Sequence, residues 1–455
     1  MRDKLSFFYG GEKYRKNWSA IFGKHTRKKS LGQFFTKSRT VQNIFSQLIQ
    51  NERGPVVEPS CGEGDLISAI DDRRKVFAFE YDKNVINAST NDVIYGCFFD
   101  EFPKVKIIPT TIVSNPPYVS ITEYSGFMSD GMKEFVANSG YKGKYNISFL
   151  FMHMCASILS DDGEMIFIVP KDFTYATSAF PLRTYLMESG HFTHWIDCNE
   201  KKLFADACVE SLVIFRWVKS PSTLSVQVSN VDSLSFVPKT ELYFGEENIL
   251  LFLEKEVVGK VGKSTIGDFF NIYVGSVSGC DEVFKIKDDR FSKLLVDMVS
   301  GNNLIDKFLN TNVFKNFEDM PEDVQAYLTK HKNKLIQRYS VKHSKDTEDS
   351  WWRWSFLRNV KYSFGIDRSP RIYVSAKTRK QIFSVGESGL GFSGGVYALI
   401  PKISVDLKLV ANFLNGGFFR SILEGSGCVV NNKFSITPRA ILSLPFNYNL
   451  CKEII

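Results

Sequence analysis

The chain has no Cys-x-x-Cys pair, although it carries eight cysteines, at 61, 97, 155, 198, 208, 280, 428 and 451. A zinc ribbon or dithiol redox centre built on that spacing is excluded. Thiols scattered along a long chain read as reduced and intracellular. No apolar run approaches the ~18 residues of a membrane span. The N-terminus is basic and polar where a secretory leader would be apolar. Internal repeats and low-complexity tracts are missing too. What is there is globular composition, 44% hydrophobic and 24% charged over 455 residues, enough for one to three domains.

The net charge of +7 is uneven. Residues 1–29 hold nine Lys/Arg against two acids, a local +7. Residues 329–380 hold fourteen against four, a local +10, which leaves −10 for the rest. Two basic segments on an acidic body point to a polyanion partner, or else to solvated charged loops.

Residues 1–30 form an arm with little periodicity. Val41, Ile44, Phe45, Leu48 and Ile49 recur at helical spacing and predict a helix over 37–50. Short apolar runs at 55–59, 76–80, 112–114, 165–170 and 211–217 predict strands. Helices are expected from Asp65 and over 149–159. Strands apolar on both faces, alternating with helices, describe an α/β parallel sheet. Beyond a polar turn at 219–223 the rhythm loosens. The domains read as an arm (1–30), an α/β domain (31–240) and a mixed α+β domain (241–455).

Two motifs carry the chemistry. Glu58-Pro59-Ser60-Cys61-Gly62-Glu63-Gly64-Asp65 joins a strand to a helix start, and its glycines let a ligand approach the backbone. In an open parallel sheet a nucleoside cofactor docks at such a turn. Glu80, ending the next strand, offers two acceptors to two ribose hydroxyls. Downstream stands Asn115-Pro116-Pro117-Tyr118. The Asn115 side-chain carbonyl and the Pro116 main-chain carbonyl suit the two N–H groups of an exocyclic amine on a planar ring. Those bonds favour a pyramidal nitrogen as it accepts a methyl group. The two prolines stiffen the loop, and Tyr118 offers a ring to stack on a base.

With these motifs in this order the chain resembles the TaqI-like, γ-group N6-adenine DNA methyltransferases of restriction–modification systems. The resemblance covers most of the chain. It implies a Rossmann-like fold that uses S-adenosylmethionine, followed by a target-recognition domain. Ser30-Leu31-Gly32-Gln33-Phe34-Phe35-Thr36 resembles the family's N-terminal cofactor motif, which implies cofactor contacts at Phe35 and Thr36. Glu58, Pro59, Ser60, Cys61, Gly62, Glu80 and Asn115 are implied for the same cofactor. Asn115, Pro116, Pro117 and Tyr118 would be the catalytic motif. Phe204 falls where the family places a second aromatic wall around a flipped adenine. Two departures stand out. The segment Gly96-Cys97-Phe98-Phe99-Asp100 lacks an acid directly before its aromatic pair, so either Cys97 replaces it or Asp100 is its displaced counterpart, and Asp100 is taken as the adenine-side contact. Thr110 and Thr111 stand where the family often has Asp. No metal is implied. The implied partners are duplex DNA and a cognate endonuclease sharing its site, with no membrane. A monomer in the cytoplasm of a bacterial or archaeal cell is expected.

In the C-terminal half, 267–284 resembles the start of the family's recognition domain, with Ser276 and Ser278 as DNA contacts. Trp351-Trp352-Arg353-Trp354 gathers three of the six tryptophans inside the +10 segment. These are either core anchors or groups that stack on bases, and Trp352 and Arg353 are taken as DNA contacts with Lys28, Lys29 and Arg379. Three rival readings are an RNA adenine methyltransferase, a glutamine methyltransferase that shares Asn-Pro-Pro-Tyr, and a non-catalytic DNA-binding subunit.

Overall fold

A computed structural model describes residues 36–454, apart from 72, 86–91, 199–210, 222–224, 288–289, 302–303, 343–349, 380–381, 388 and 431–432. The chain divides into two compact units. The first runs to Phe173 and resumes over Ser178–Glu241; the second comprises Thr174–Thr177 and Leu242–Ile455.

The first unit is built on β1 (Val56–Glu58), β2 (Val76–Glu80), β3 (Val93–Tyr95), β4 (Thr111–Ser114), β5 (Glu164–Pro170), β6 (His191–Asp197), β7 (Leu212–Val218), β8 (Ser225–Asn230) and β9 (Val237–Phe244). They lie in the order β9-β8-β6-β7-β5-β4-β1-β2-β3. Strands β3, β2, β1, β4 and β5 are parallel, and β7 enters antiparallel between β5 and β6.

Alternation along the strands sets the two faces. Val56, Val113, Ile166 and Ile168 pack with Val41, Ile44, Phe45 and Leu48 of the helix Arg39–Leu48. Phe79 takes the opposite side, with its ring 5.2 Å from Phe98, which stacks in turn on Phe151 of the buried helix Ser148–Ile158. The helix expected from Asp65 is only a single 3-10 turn, Ile67–Ala69. Six residues with two β-branched isoleucines cannot offset the cost of nucleation. The chain also turns at once so that Arg74 can donate to the carbonyls of Asn51, Arg53 and Gly54.

One buried carboxylate ties the foot of the sheet. Glu164 opens β5 and accepts from Arg216 Nε of β7 at 2.7 Å and from Thr111 Oγ1 of β4 at 3.0 Å. It also accepts the Gln50 and Asn51 N–H groups just past the helix Arg39–Leu48. Thr110 and Thr111, the departure noted in the sequence, are engaged here, since Arg74 Nη2 donates to both hydroxyls.

In the second unit β10 (Ile249–Leu253) belongs to a core with the helices Leu407–Asn415 and Gly417–Gly425. Strands β11 (Phe270–Val274), β14 (Ile372–Ser375), β16 (Phe383–Val385) and β18 (Val396–Pro401) form an antiparallel sheet, ordered β11-β18-β14-β16. A second sheet joins β12 (Leu295–Ser300), β13 (Leu304–Leu309) and β17 (Gly391–Phe392). A small one joins β15 (Lys377–Thr378), β19 (Val429–Val430) and β20 (Lys433–Ser435). Trp351, Trp352 and Trp354 lie in a core with Phe284, Phe308 and Leu335.

Glu164→Ala leaves Arg216 buried without its partner, and the first unit should lose about 3–5 kcal/mol. Adding Arg216→Met should recover most of that loss. Urea unfolding of the two variants against wild type measures both effects.

Candidate active site

Strand β1 pairs with β2 on one side and β4 on the other, so the chain order reverses at β1. In an open parallel sheet the crevice beyond the carboxyl ends of the strands at such a reversal is where a ligand docks. Glu58 ends β1, Glu80 ends β2 and Asn115 follows β4 directly. Topology thus collects at one edge the residues that the two motifs single out.

The Gly-rich turn is shaped by positive φ at Gly62 (+52°) and Gly64 (+87°), which other residues adopt only with strain. Glu80 grips the turn: Oε2 accepts Gly62 N–H at 3.0 Å, while Oε1 accepts Asp82 N–H at 2.8 Å. A carboxylate at this edge offers acceptors of the kind that bind vicinal hydroxyls. Ser60 crosses to the neighbouring strand, with Oγ 3.2 Å from Ser114 Oγ and 3.3 Å from the Asn115 carbonyl.

Three carboxyls face this turn. Glu58 is buried and its Oε2 has no hydrogen-bond partner. Burial pushes its carboxyl well above the usual range, and the negative fields of Asp65 and Glu80 add to the effect. Asp65 Oδ2 is also unpartnered, and burial raises its carboxyl with help from Glu63, against Lys37 and the Thr36 N–H. Acids that repel one another, each with one buried oxygen that no donor meets, suit a cationic ligand. A methyl-bearing sulfonium with an α-ammonium group is such a ligand. Among the described residues no cluster of His, Cys, Asp or Glu is arranged to hold a metal ion.

Asn115 is held from both ends of its amide. Nδ2 donates to Thr36 Oγ1 at 2.9 Å. The Tyr118 hydroxyl lies against Asn115 Oδ1 and the Ile168 carbonyl, and donates its one proton there. Burial keeps that phenol protonated, well above its ordinary range. Thr36 is itself clamped: its N–H reaches the Asp65 carboxylate and its carbonyl accepts Gln42 Nε2 at 3.1 Å. The roles of Gln42, Asp65 and Ile168 were not foreseen from the sequence. Gln42 stands one helical turn into Arg39–Leu48, and nothing in its local pattern marks it.

The other expected residues separate. Asp100 accepts Gly131 N–H at 2.7 Å, joining the helix Phe98–Val105 to the helix Asp130–Ser139. Cys97 is buried and accepts from Ser129 Oγ at 3.1 Å. Phe35, Phe204, Lys28 and Lys29 lie outside the described residues. In the second unit the DNA-contact readings of Ser276, Ser278 and Trp352 need correction, because all three side chains are buried. Ser276 Oγ accepts Arg358 N–H at 3.0 Å, Ser278 Oγ donates to Asp281, and Trp352 packs in the core. Arg353 lies 4.1 Å over the Trp352 ring. Arg379 is exposed.

Residues 36–204 match the family model of the Eco57I restriction-modification methylases. The methyl donor of the family is S-adenosylmethionine, which the acid-lined turn fits. The chain is 26% identical to the type II methyltransferase M.HindII of Haemophilus influenzae, covering 92% of this chain and 90% of that one. It is 24% identical to M.HincII of Haemophilus influenzae over the same shares. Among solved structures, the type IIL restriction-modification enzyme MmeI in complex with DNA shares the fold, with TM-score 0.56 at 11% identity. That match covers 95% of this chain and 65% of MmeI.

The raised Glu58 carboxyl fixes a pH dependence for the first unit. The folded state holds that proton longer than the unfolded chain does. The unliganded protein should therefore lose stability as pH rises above the ordinary carboxylate range through the raised value. A bound cation favours the ionised form, so the stabilisation conferred by S-adenosylmethionine should grow over the same interval. Thermal unfolding with and without the cofactor between about pH 5 and 8 measures this. Glu58→Gln should flatten both trends and weaken cofactor binding.

Proposed function

We propose that the protein is a site-specific DNA methyltransferase that modifies N6 of an adenine flipped out of duplex DNA. The observation that carries this reading is the Asn115 amide, fixed by Thr36 beside an acid-lined turn at the switch point of the sheet. The methylase family match supports methyl transfer, and the fold shared with an enzyme solved on DNA supports duplex DNA as the substrate.

Bound S-adenosylmethionine supplies an electrophilic methyl group on a sulfonium. Glu58 and Asp65 would meet its positive charge, Glu80 its ribose hydroxyls, and Pro59, Ser60, Cys61 and Gly62 would shape the turn beneath it. Asp100 is proposed for its adenine side. Asn115 Oδ1 and the Pro116 carbonyl accept the two N6 hydrogens of the target base. The Tyr118 hydroxyl yields Asn115 Oδ1 to that amine and keeps its bond to Ile168. The nitrogen lone pair is then localised for attack, and the excess proton leaves to solvent once the nitrogen carries the methyl group. The Tyr118 ring would stack the base, and Phe204 is proposed as a second aromatic partner for it. Pro117 keeps the loop stiff. The basic arm with Lys28 and Lys29, and Arg353 and Arg379 of the second unit, would meet phosphates. A monomer working beside a cognate endonuclease fits the type II character of the relatives.

Expression in a host and sequencing of its DNA for modified bases tests the whole reading. N6-methyladenine confined to one short motif is expected. A mark found only on RNA or protein would replace it. Asn115→Ala should abolish methyl transfer while cofactor binding, read by titration, stays nearly intact. Thr36→Val keeps the shape but removes the acceptor that orients the amide. Its kcat should fall about ten- to a hundredfold, whereas Thr36→Ser should stay near wild type.

A further inference from the structure

Behind the buried tryptophans the chain emerges as six consecutive exposed residues, Phe356-Leu357-Arg358-Asn359-Val360-Lys361. Phe356, Leu357 and Val360 are 45%, 48% and 44% exposed, and Ile366 nearby is 68% exposed. Isolated apolar residues on a surface need no explanation, but a contiguous apolar edge does. This one is also held rigidly. Val277 and Phe356 exchange both main-chain hydrogen bonds, at 2.9 and 3.0 Å. Arg358 N–H donates to the buried Ser276 Oγ, and Ser363 Oγ donates to the Arg358 carbonyl at 2.7 Å. Asn359 Nδ2 donates to the Val274 carbonyl at 3.0 Å. Further along, the buried Arg371 donates to the carbonyls of Tyr362, Asp367 and Ser369. A free surface loop has no need of such a frame.

Cations are interleaved with the apolar groups. The Arg358 guanidinium lies 5.5 Å over the Phe356 ring, and the Lys361 ammonium lies 5.5 Å over the Tyr362 ring. Lys361 also pairs with Asp367 at 3.1 Å, so Arg358 is the better placed of the two for an external anion. The whole edge sits inside the segment carrying a local charge of +10. Apolar wedges flanked by arginine, on a strongly basic stretch, complement a duplex: phosphates meet the charge while the wedge enters a groove or base step.

We propose that the edge Phe356–Lys361 is a duplex-DNA docking surface, with Phe356 and Leu357 pressed against the bases and Arg358 on a phosphate. The inference rests on the DNA-methyltransferase reading above and says which face of the second unit meets the substrate. Ser276, read from the sequence as a contact, lies beneath that face and holds Arg358 in place.

The test is equilibrium binding to a duplex bearing the sequence that the wild type methylates, over a series of salt concentrations. Phe356→Ser with Leu357→Ser should weaken binding about ten- to a hundredfold and leave the salt slope unchanged. Arg358→Ala should reduce the slope by about one. Ile403→Ser, at an exposed apolar residue elsewhere in the unit, is the control and should bind as wild type does. Circular dichroism and thermal unfolding, unchanged in all variants, show that the second unit is intact. Wild-type affinity in the double variant would overturn the proposal, as would loss of a self-association in place of DNA binding. If the wild type marks no DNA, the enzyme reading fails, and the docking surface fails with it.

Discussion

Much of the first unit depends on where Glu164 puts its negative charge. A carboxylate with no exposed surface is tolerable only if its charge and lone pairs are met. Here they are met by Arg216, Thr111 and the two main-chain N–H groups at Gln50 and Asn51. Those partners come from β7, β4 and the end of the helix Arg39–Leu48. One side chain therefore sets the stagger of three strands and the reach of the segment that begins at Thr36. Thr36 holds the Asn115 amide, so a charge at the foot of the sheet positions an acceptor at its head.

The Gly-rich turn shows the opposite arrangement. Glu58 Oε2 and Asp65 Oδ2 meet no donor, and the two acids lie near enough to Glu80 and Glu63 for each to feel like charges. The turn stores electrostatic repulsion that a cationic ligand relieves. A neutral product, after the sulfonium has become a thioether, relieves less of it. The same acids that favour the methyl donor would thus favour its exchange once the reaction is over.

The sheet was legible because parallel strands buried on both faces read as uninterrupted apolar runs, as in Met165 to Val169. Strands with mixed character, such as His191–Asp197, left no comparable trace. Glu58, Glu80 and Asn115 could be picked out because short motifs fix their spacing to strand ends. Gln42, Glu164 and Arg216 could not, since their partners lie far away in sequence. The second unit misled for a different reason. Serine and tryptophan near basic residues serve equally well as contacts or as the frame under them, and only burial separates the two. Ser276 and Trp352 belong to the frame, and Phe356 and Leu357 stand on the surface.

Four residues, Thr174–Thr177, lie in the second unit although the chain on either side of them belongs to the first. Thr174 Oγ1 donates to the Ser426 carbonyl at 2.7 Å, and Tyr175 packs against the core around Phe419 and Phe434. The polypeptide therefore passes between the two units three times. A gene cut once, near codon 241, would separate the second unit from a piece of its own core. Swapping second units between related chains at that single junction would join each new unit to a foreign tetrapeptide. A lineage that exchanges second units by recombination would have to carry over Thr174–Thr177 as well, or keep this short insert compatible with every unit it acquires.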